Sequence, residues 1–298
     1  MVETAIRRLK EKEVEYKEFQ SMSGICSMRV GGPARLLVLP KTEQELVFSV
    51  LLLSEHNISY KIIGRMSNIL PDDGLYNGAL IKCDKLNDFY LRENIVKAGV
   101  GLSLPALSLR LAALGLSGAE ELSGIPGSLG GAVFGNAGAY GRSVSDALLG
   151  VRAFSPNDGE IVYLNRGDLS FSYRNSSFKG TNLVLLSCDL SFKEVERFVI
   201  LKRMSELREK RRAYQPTEPS LGSVYKRPNG DYASRLIDAS GLKGTSIGGA
   251  KVSTKHAGFI INVGTATSGD VRSLCRLIEE TVLKRFQVSL EREIEFLE

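Results

Sequence analysis

The chain has 298 residues with 43% hydrophobic and 24% charged content, and because a single core stops growing at roughly 250–300 residues, the length points to two or three lobes. Its four cysteines contain no CxxC pair and its two histidines no HExxH, which excludes a zinc ribbon, a disulfide framework or a zincin site as the organising feature; no metal is expected. The net charge of +5 is dispersed apart from Arg208-Glu209-Lys210-Arg211-Arg212, whereas nucleic-acid binders usually concentrate basic residues in a patch; a small anionic ligand fits this charge equally well, and the run itself is at least as readily a solvated helix end.

The N-terminal segment, Ile6 to Glu13, reads as a charged helix and not as a secretory signal with an apolar centre. No run approaches the roughly 20 apolar residues that span a bilayer, so a cytoplasmic location is expected. Thr42 and Glu45 form a capping box, and an apolar helix follows to about Asn57. Tyr60–Ile63 reads as a short buried strand ending at Gly64. A second region opens with a strand at Asn94–Ala98. Ser103 then caps a helix that stops at Gly115. Strands follow at Gly150–Phe154, Glu160–Leu164 and Asn182–Leu190, the first two joined by a turn at Pro156–Gly159. The last region begins with a charged helix, about Glu194–Arg212, which Gln215-Pro216 ends. Helices at about Tyr232–Ser240 and Ser268–Phe286 come next, the latter with apolar residues at Val271, Leu274, Leu277, Ile278 and Val282. Val288–Phe296 closes the chain as a strand, with Glu291 and Glu293 on one face and Leu290, Arg292 and Ile294 on the other. The divisions are set at 1–85, 86–195 and 196–298, with the last strand free to return to the first lobe.

Nine of the 30 glycines fall between Gly115 and Gly141. Gly124-Ile125-Pro126-Gly127-Ser128-Leu129-Gly130-Gly131, followed by Asn136-Ala137-Gly138, can bring backbone N–H groups close to a phosphate, because glycine has no Cβ and tolerates positive φ. Gly64-Arg65-Met66-Ser67-Asn68 is a second tight loop of this kind, although by itself it reads more readily as a strand-to-loop turn. Gly99-Val100-Gly101 sits where a Rossmann fingerprint would but lacks its third glycine, and there is no GxxxxGK[ST]. A dinucleotide, if bound, is therefore held by another fold.

Three further positions carry candidate chemistry. Arg174 follows Phe171 and Tyr173, and an arginine beside aromatics is a rigid, permanent cation suited to a carboxylate or a developing enolate. Ser223 follows Gly222 and precedes Lys226 and Arg227, whose charge eases proton donation by a hydroxyl. Glu293 lies in the closing Leu290-Glu291-Arg292-Glu293. Each also has a plainer reading, as a surface arginine, a turn serine and an exposed strand carboxylate. His256, in Val252–Gly258, fits a structural role or a substrate contact better than acid–base catalysis.

The order of these signals along the chain is more specific than any one of them. Arg29-Val30-Gly31-Gly32-Pro33-Ala34, Gly64–Asn68, Gly124–Gly131, Asn136–Gly138, Tyr173-Arg174, Gln215-Pro216, Gly222-Ser223-Val224, Leu242-Lys243-Gly244, Gly248-Gly249-Ala250 and the closing Leu290–Glu293 resemble the UDP-N-acetylenolpyruvoylglucosamine reductases over nearly the whole chain. The resemblance implies an α+β fold: a two-lobed FAD-binding domain of the vanillyl-alcohol-oxidase type followed by a smaller α+β substrate-binding domain. It implies FAD and NADPH as cofactors, used in ping-pong order, UDP-N-acetylglucosamine enolpyruvate as substrate, and a monomer without nucleic-acid or membrane partners. The family's catalytic positions fall on Arg174, Ser223 and Glu293. Its FAD contacts fall on Gly64, Arg65, Met66, Ser67, Asn68, Gly124, Ile125, Pro126, Gly127, Ser128, Gly130, Gly131, Asn136, Ala137 and Gly138. Its substrate contacts fall on Tyr173, Lys226 and Gln215. The chain departs from the family where Met66 replaces a common glycine and Tyr225 a common phenylalanine. The short stretch from Tyr173 to Thr181 marks the subtype without a tyrosine-bearing lid. The alternative is an FAD oxidase or dehydrogenase of the same fold acting on another alcohol or sugar. A non-catalytic nucleotide-sugar binder is a third reading.

Overall fold

The computed structural model describes residues 1–298. Seven α-helices follow the chain: α1 Val2–Glu11, α2 Glu43–Glu55, α3 Leu104–Ala113, α4 Leu129–Gly135, α5 Arg197–Tyr214, α6 Ala233–Ala239 and α7 Ser268–Phe286. None is long and apolar enough to cross a membrane. The chain forms two compact units. The first comprises Met1–Glu18, Leu36–Arg65 and Gly78–Lys210, and the second Phe19–Arg35, Met66–Asn77 and Arg211–Glu298.

Unit 1 is built on a five-stranded antiparallel sheet. Its strand order is Glu160–Asn165, Leu148–Ser155, Val184–Ser191, Ile95–Gly99, Phe89–Arg92. The two central long strands turn an apolar row toward the core, in which Val151, Ala153, Leu186 and Cys188 are fully buried. A second sheet holds Tyr60–Ile63 parallel to Tyr76–Lys82, with Tyr60 opposite Ala79. Between these elements one continuous core runs from Ala5 and Leu9 of α1, through Leu46, Val50 and Leu53 of α2, to Leu104, Leu107 and Leu111 of α3. α2 starts where Thr42 Oγ1 accepts the Glu45 N–H at 3.1 Å. The Glu45 carboxylate reaches back one residue further than a capping box requires, to the Lys41 N–H at 2.8 Å. α3 is capped by Ser103, whose Oγ accepts the Ala106 N–H at 3.3 Å, and the chain turns away at Gly115 with φ +71°.

Unit 2 holds a four-stranded antiparallel sheet in the order Ser220–Ser223, Phe259–Asn262, Ala250–Val252, Ser246–Ile247. α7 buries Val271, Leu274, Ile278 and Val282 at the expected helical spacing. Its N-terminus is unusually well satisfied. Thr267 and Asp270 form a reciprocal capping box, and the Asp73 carboxylate accepts the Ser268 and Gly269 N–H groups at 2.8 and 2.9 Å.

The expected strand over 288–296 is shorter than its alternation implies. Only Glu295–Leu297 is a strand, parallel to Ile69–Pro71, with Glu295 opposite Ile69. That partner offers three residues, so the preceding segment has no ladder to join beyond a single bridge between Arg292 and Tyr225. Arg292, the polar intruder on an otherwise apolar face, donates to the Glu279 carboxylate of α7 at 2.5 and 2.6 Å and lies over the Phe296 ring at 4.8 Å. A buried-side arginine is tolerated there because its charge is paired and its donors are used.

Candidate active site

In unit 1 the strand Tyr60–Ile63 delivers the chain to Gly64. A Cβ at Gly64 would stand 2.1 Å from Ser128 Oγ, so a larger residue would have to displace the hydroxyl that caps the next helix. Ser128 is itself buried and N-caps α4, its Oγ accepting the Gly131 N–H at 3.4 Å. The N–H groups of Leu129 and Gly130 donate to Leu102 O and Val100 O, each at 2.8 Å. These internal bonds leave fewer amides for a phosphate than the glycine count implies, and Gly130 is needed for packing, since its Cβ would fall 2.8 Å from Val100 Cβ. α4 ends at Asn136 in the left-handed conformation, φ 45° and ψ 57°. Asn136 is 7% exposed. Its Nδ2 donates to Ser172 O at 2.8 Å, and its buried Oδ1 has no protein partner.

Arg174 sits on a small hairpin in which Phe171 pairs with Ser176 and Ser172 with Asn175. The residue itself has φ +55°. The turn is held by several bonds. Arg174 Nη2 donates to Gly138 O at 3.0 Å, Ser176 Oγ to Phe134 O at 2.6 Å, and Lys179 Nζ to Arg174 O at 2.9 Å. The guanidinium lies 5.1 Å from the centre of the half-exposed Tyr173 ring. Asn136, Gly138, Tyr173 and Arg174 are thus brought together within unit 1 at the C-terminal end of α4, while Gly64 meets Ser128 at its N-terminal end.

In unit 2 the strand Ser220–Ser223 meets Phe259–Asn262 with a register shift between Ser220 and Ser223. Gly222 lies within the shift at φ +76°. The irregularity is a β-bulge, a device that re-aims the following side chain, here the exposed Ser223. Val224 N donates to Gly258 O at 2.9 Å, and Val224 O accepts the Glu293 N–H at 2.8 Å. Lys226 N donates to Glu291 O at 2.9 Å, and the Lys226 ammonium pairs with the Glu291 carboxylate. Ser223, Lys226 and Glu293 therefore belong to one backbone-locked group. Asn68 joins it from the other end of the Gly64–Asn68 loop. Its Nδ2 donates to Glu293 O at 2.9 Å, and its own carbonyl accepts the Glu295 N–H at 2.9 Å. Gln215 stands half-buried at the end of α5, its N–H on Arg211 O at 2.8 Å, and is not part of this hydrogen-bonded group.

Two departures noted in the sequence acquire physical reasons. Met66 occupies the left-handed region at φ +45°, where glycine would be free of strain, and its side chain is 2% exposed. Tyr225 is buried with its hydroxyl donating to Cys275 O at 3.0 Å, so the extra oxygen is satisfied, and burial pushes its pKa up.

The closeness of Ser223 and His256 had no sequence signal. A Cβ on Gly258 would lie 3.1 Å from His256 Nδ1 and 3.3 Å from Ser223 Oγ, so one small residue separates the serine from the imidazole. His256 Nδ1 accepts the Gly258 N–H at 3.1 Å, which places the ring proton on Nε2. Burial, with the Lys243 charge adding, holds its pKa below the ordinary 6.5. The Arg29–Ala34 motif serves close backbone approach: Cβ atoms at Gly31 and Gly32 would strike Pro71 Cγ at 2.4 Å and Asp73 O at 2.2 Å. The four cysteines are buried free thiols whose pKa values are raised by burial.

Residues 215–297 match the sequence family described as UDP-N-acetylenolpyruvoylglucosamine reductase, C-terminal domain, and residues 34–165 match the FAD binding domain family. The UDP-N-acetylenolpyruvoylglucosamine reductase of Caldicellulosiruptor bescii is 39% identical over 292 residues, covering 97% of this chain and 93% of that protein. The reductase of the same name from Pediococcus pentosaceus is 41% identical over 286 residues, covering 96% and 95%. The crystal structure of UDP-N-acetylenolpyruvylglucosamine reductase from Thermus caldophilus superposes with a TM-score of 0.82 at 34% identity, covering 96% of this chain and 99% of that one.

Proposed function

The chain belongs to the UDP-N-acetylenolpyruvoylglucosamine reductase family, and from that premise we propose that its residues carry out the reduction of UDP-N-acetylglucosamine enolpyruvate to UDP-N-acetylmuramate, a step of peptidoglycan precursor synthesis. The observation that carries the activity is the match to reductases of that name over nearly the whole length of both chains. The chain is an FAD enzyme of the α+β class, with an FAD-binding domain of the vanillyl-alcohol-oxidase type ahead of the smaller C-terminal domain, and NADPH is its reductant. When bound, FAD supplies the hydride relay between NADPH and the vinyl carbon of the substrate.

The protein's own residues fit that cofactor at two observed points. Gly64 and Ser128 approach so closely that a Cβ has no room, and Asn136 presents a buried acceptor with no protein partner. We assign the FAD contacts to Gly64–Asn68, Gly124–Ser128, Gly130, Gly131 and Asn136–Gly138. Arg174, fixed by Gly138 O and the Tyr173 ring, would face the substrate carboxylate and stabilise charge as the adjoining carbon gains enolate character. Glu293, its backbone locked between Val224 O and Asn68 Nδ2, would hold the enol form. Ser223 would give its hydroxyl proton to that carbon, with the Lys226 charge three residues on easing the transfer. Tyr173, Lys226 and Gln215 are assigned to the nucleotide-sugar substrate. The partition into flavin lobes 1–85 and 86–195 and a substrate domain 196–298 belongs to this reading, as do a monomeric state, a cytoplasmic location and the absence of nucleic-acid or membrane partners.

The test is an anaerobic flavin spectrum followed through NADPH and then UDP-N-acetylglucosamine enolpyruvate. Bleaching by NADPH and return of colour with the enolpyruvate is the expected result. Reduced flavin that recovers only with oxygen would favour an oxidase acting on another substrate. A protein that holds no FAD would overturn the site assignment altogether.

A further inference from the structure

Asn136 and Arg174 are cross-tied. Asn136 donates to the carbonyl of Ser172 at 2.8 Å, and Arg174, two residues beyond Ser172, donates back to the carbonyl of Gly138, two residues beyond Asn136, at 3.0 Å. The two segments are thus closed into a ring by one amide and one guanidinium. The amide is planar and stiff, so its two ends move together. One end holds the arginine hairpin. The other, Oδ1, is a buried acceptor without a partner, in a residue only 7% exposed. Buried acceptors are nearly always paired in a working protein, so this one calls for a donor that the chain does not supply. The αL backbone of Asn136, φ 45°, and the Ser176 Oγ bond to Phe134 O at 2.6 Å leave little freedom for the two segments to adjust independently.

We propose that Asn136 is a positioning residue that couples the flavin seat to Arg174: Oδ1 accepts a hydrogen bond from an N–H or hydroxyl donor of bound FAD, while Nδ2 holds the Ser172 carbonyl and so presents the arginine. The inference rests on the flavin assignment above and adds to it a physical link between the cofactor's seat and the arginine hairpin.

Two variants of the FAD-loaded protein separate the two ends of the amide. Asn136→Asp keeps an acceptor toward the flavin but sets an oxygen against the Ser172 carbonyl. Asn136→Gly removes both ends and keeps the left-handed backbone without strain. Amide hydrogen exchange over residues 171–176, the rate of FAD release on dilution followed by flavin fluorescence, and the two half-reactions are compared with the unaltered enzyme. In Asn136→Asp, exchange over 171–176 rises, FAD release stays near that of the unaltered enzyme, and reoxidation by the enolpyruvate falls about tenfold more than reduction by NADPH, the equivalent of one lost hydrogen bond. In Asn136→Gly, FAD release also quickens by about tenfold. Unchanged exchange over 171–176 in both variants, or faster FAD release from Asn136→Asp, would overturn the proposal. Should the unaltered protein take up no FAD, the flavin assignment fails first, and the two failures are told apart by that control.

Discussion

Ser223 stands directly after a glycine at φ +76°, in a bulge where a Cβ on that glycine would meet nothing within 4 Å. On the role proposed above, its hydroxyl is needed only where a proton is given to carbon, so Ser223→Ala should leave NADPH-driven bleaching intact and slow reoxidation by the enolpyruvate by about 10²–10⁴-fold. Stopped-flow measurement of the two half-reactions checks it, and equal loss in both would count against a proton donor. Met66 poses the opposite kind of question, because two effects compete at one residue. Its left-handed φ costs about 1–2 kcal/mol relative to glycine, whereas deleting a fully buried methionine side chain costs about 2–5 kcal/mol. Burial wins, so Met66→Gly should lower the urea midpoint, by the equivalent of about 1–3 kcal/mol, even though it relieves the backbone. A raised midpoint would mean that the side chain packs far less productively than its 2% exposure implies. Residue identity marked these positions as candidates: an arginine beside aromatics, a serine before a lysine, a glutamate near the chain's end. What it could not give was their fixation. The bond from Asn68 Nδ2 to Glu293 O joins positions 225 residues apart, and the Gly258 gap between Ser223 and His256 depends on strand register, which no local pattern encodes.

Local chemistry decided most helices, and for that reason they could be read. Thr42, Ser103 and Thr267 accept hydrogen bonds from the N–H three residues on, as their residue types demand, and α7 spans the range its apolar spacing marks out. The closing strand was misjudged in length because alternation reports which side chains face inward, not whether a partner strand exists. Val288–Ile294 has no ladder, and its burial pattern comes instead from packing Arg292 against Glu279 and Phe296. The N-terminus of α7 shows the same limit from the other side. Asp73 supplies two bonds to it from almost 200 residues away, and nothing near Asp73 announces that duty. Asp73→Ala should therefore destabilise the protein by about 1–2 kcal/mol, as loss of a helix cap does elsewhere. Asp73→Asn, which retains one acceptor, should recover part of this. Chemical denaturation of the three proteins tests the ranking, and an unchanged midpoint in Asp73→Ala would show that Thr267 and Asp270 suffice.

For the molecule as a whole, His256 gives stability a measurable dependence on pH. Its pKa lies below the ordinary 6.5 in the fold because burial disfavours the charged ring. The unfolded chain therefore binds the proton first, and stability that is present above about pH 6.5 is lost as the pH falls below it. His256→Asn, whose side-chain oxygen can still accept the Gly258 N–H, should flatten this part of the profile. Denaturant midpoints at about pH 7.5 and about pH 5.5 decide it, since parallel losses in both proteins would assign the slope to other groups. The depressed pKa of Asp270 acts only near and below its ordinary 3.8 and so lies outside this window. The division of the chain has a consequence for how the protein is made. Unit 1 is complete once Lys210 has been added, but unit 2 is assembled from Phe19–Arg35, Met66–Asn77 and Arg211–Glu298. On the ribosome its first two pieces must wait for the third, and at about 5–20 residues per second that wait lasts on the order of ten seconds or more. Through that interval the strand Ile69–Pro71 lacks its partner Glu295–Leu297, and the buried Leu70 lacks the Phe296 that stands opposite it, so nascent chains stalled before Arg211 should be the ones that chaperones hold.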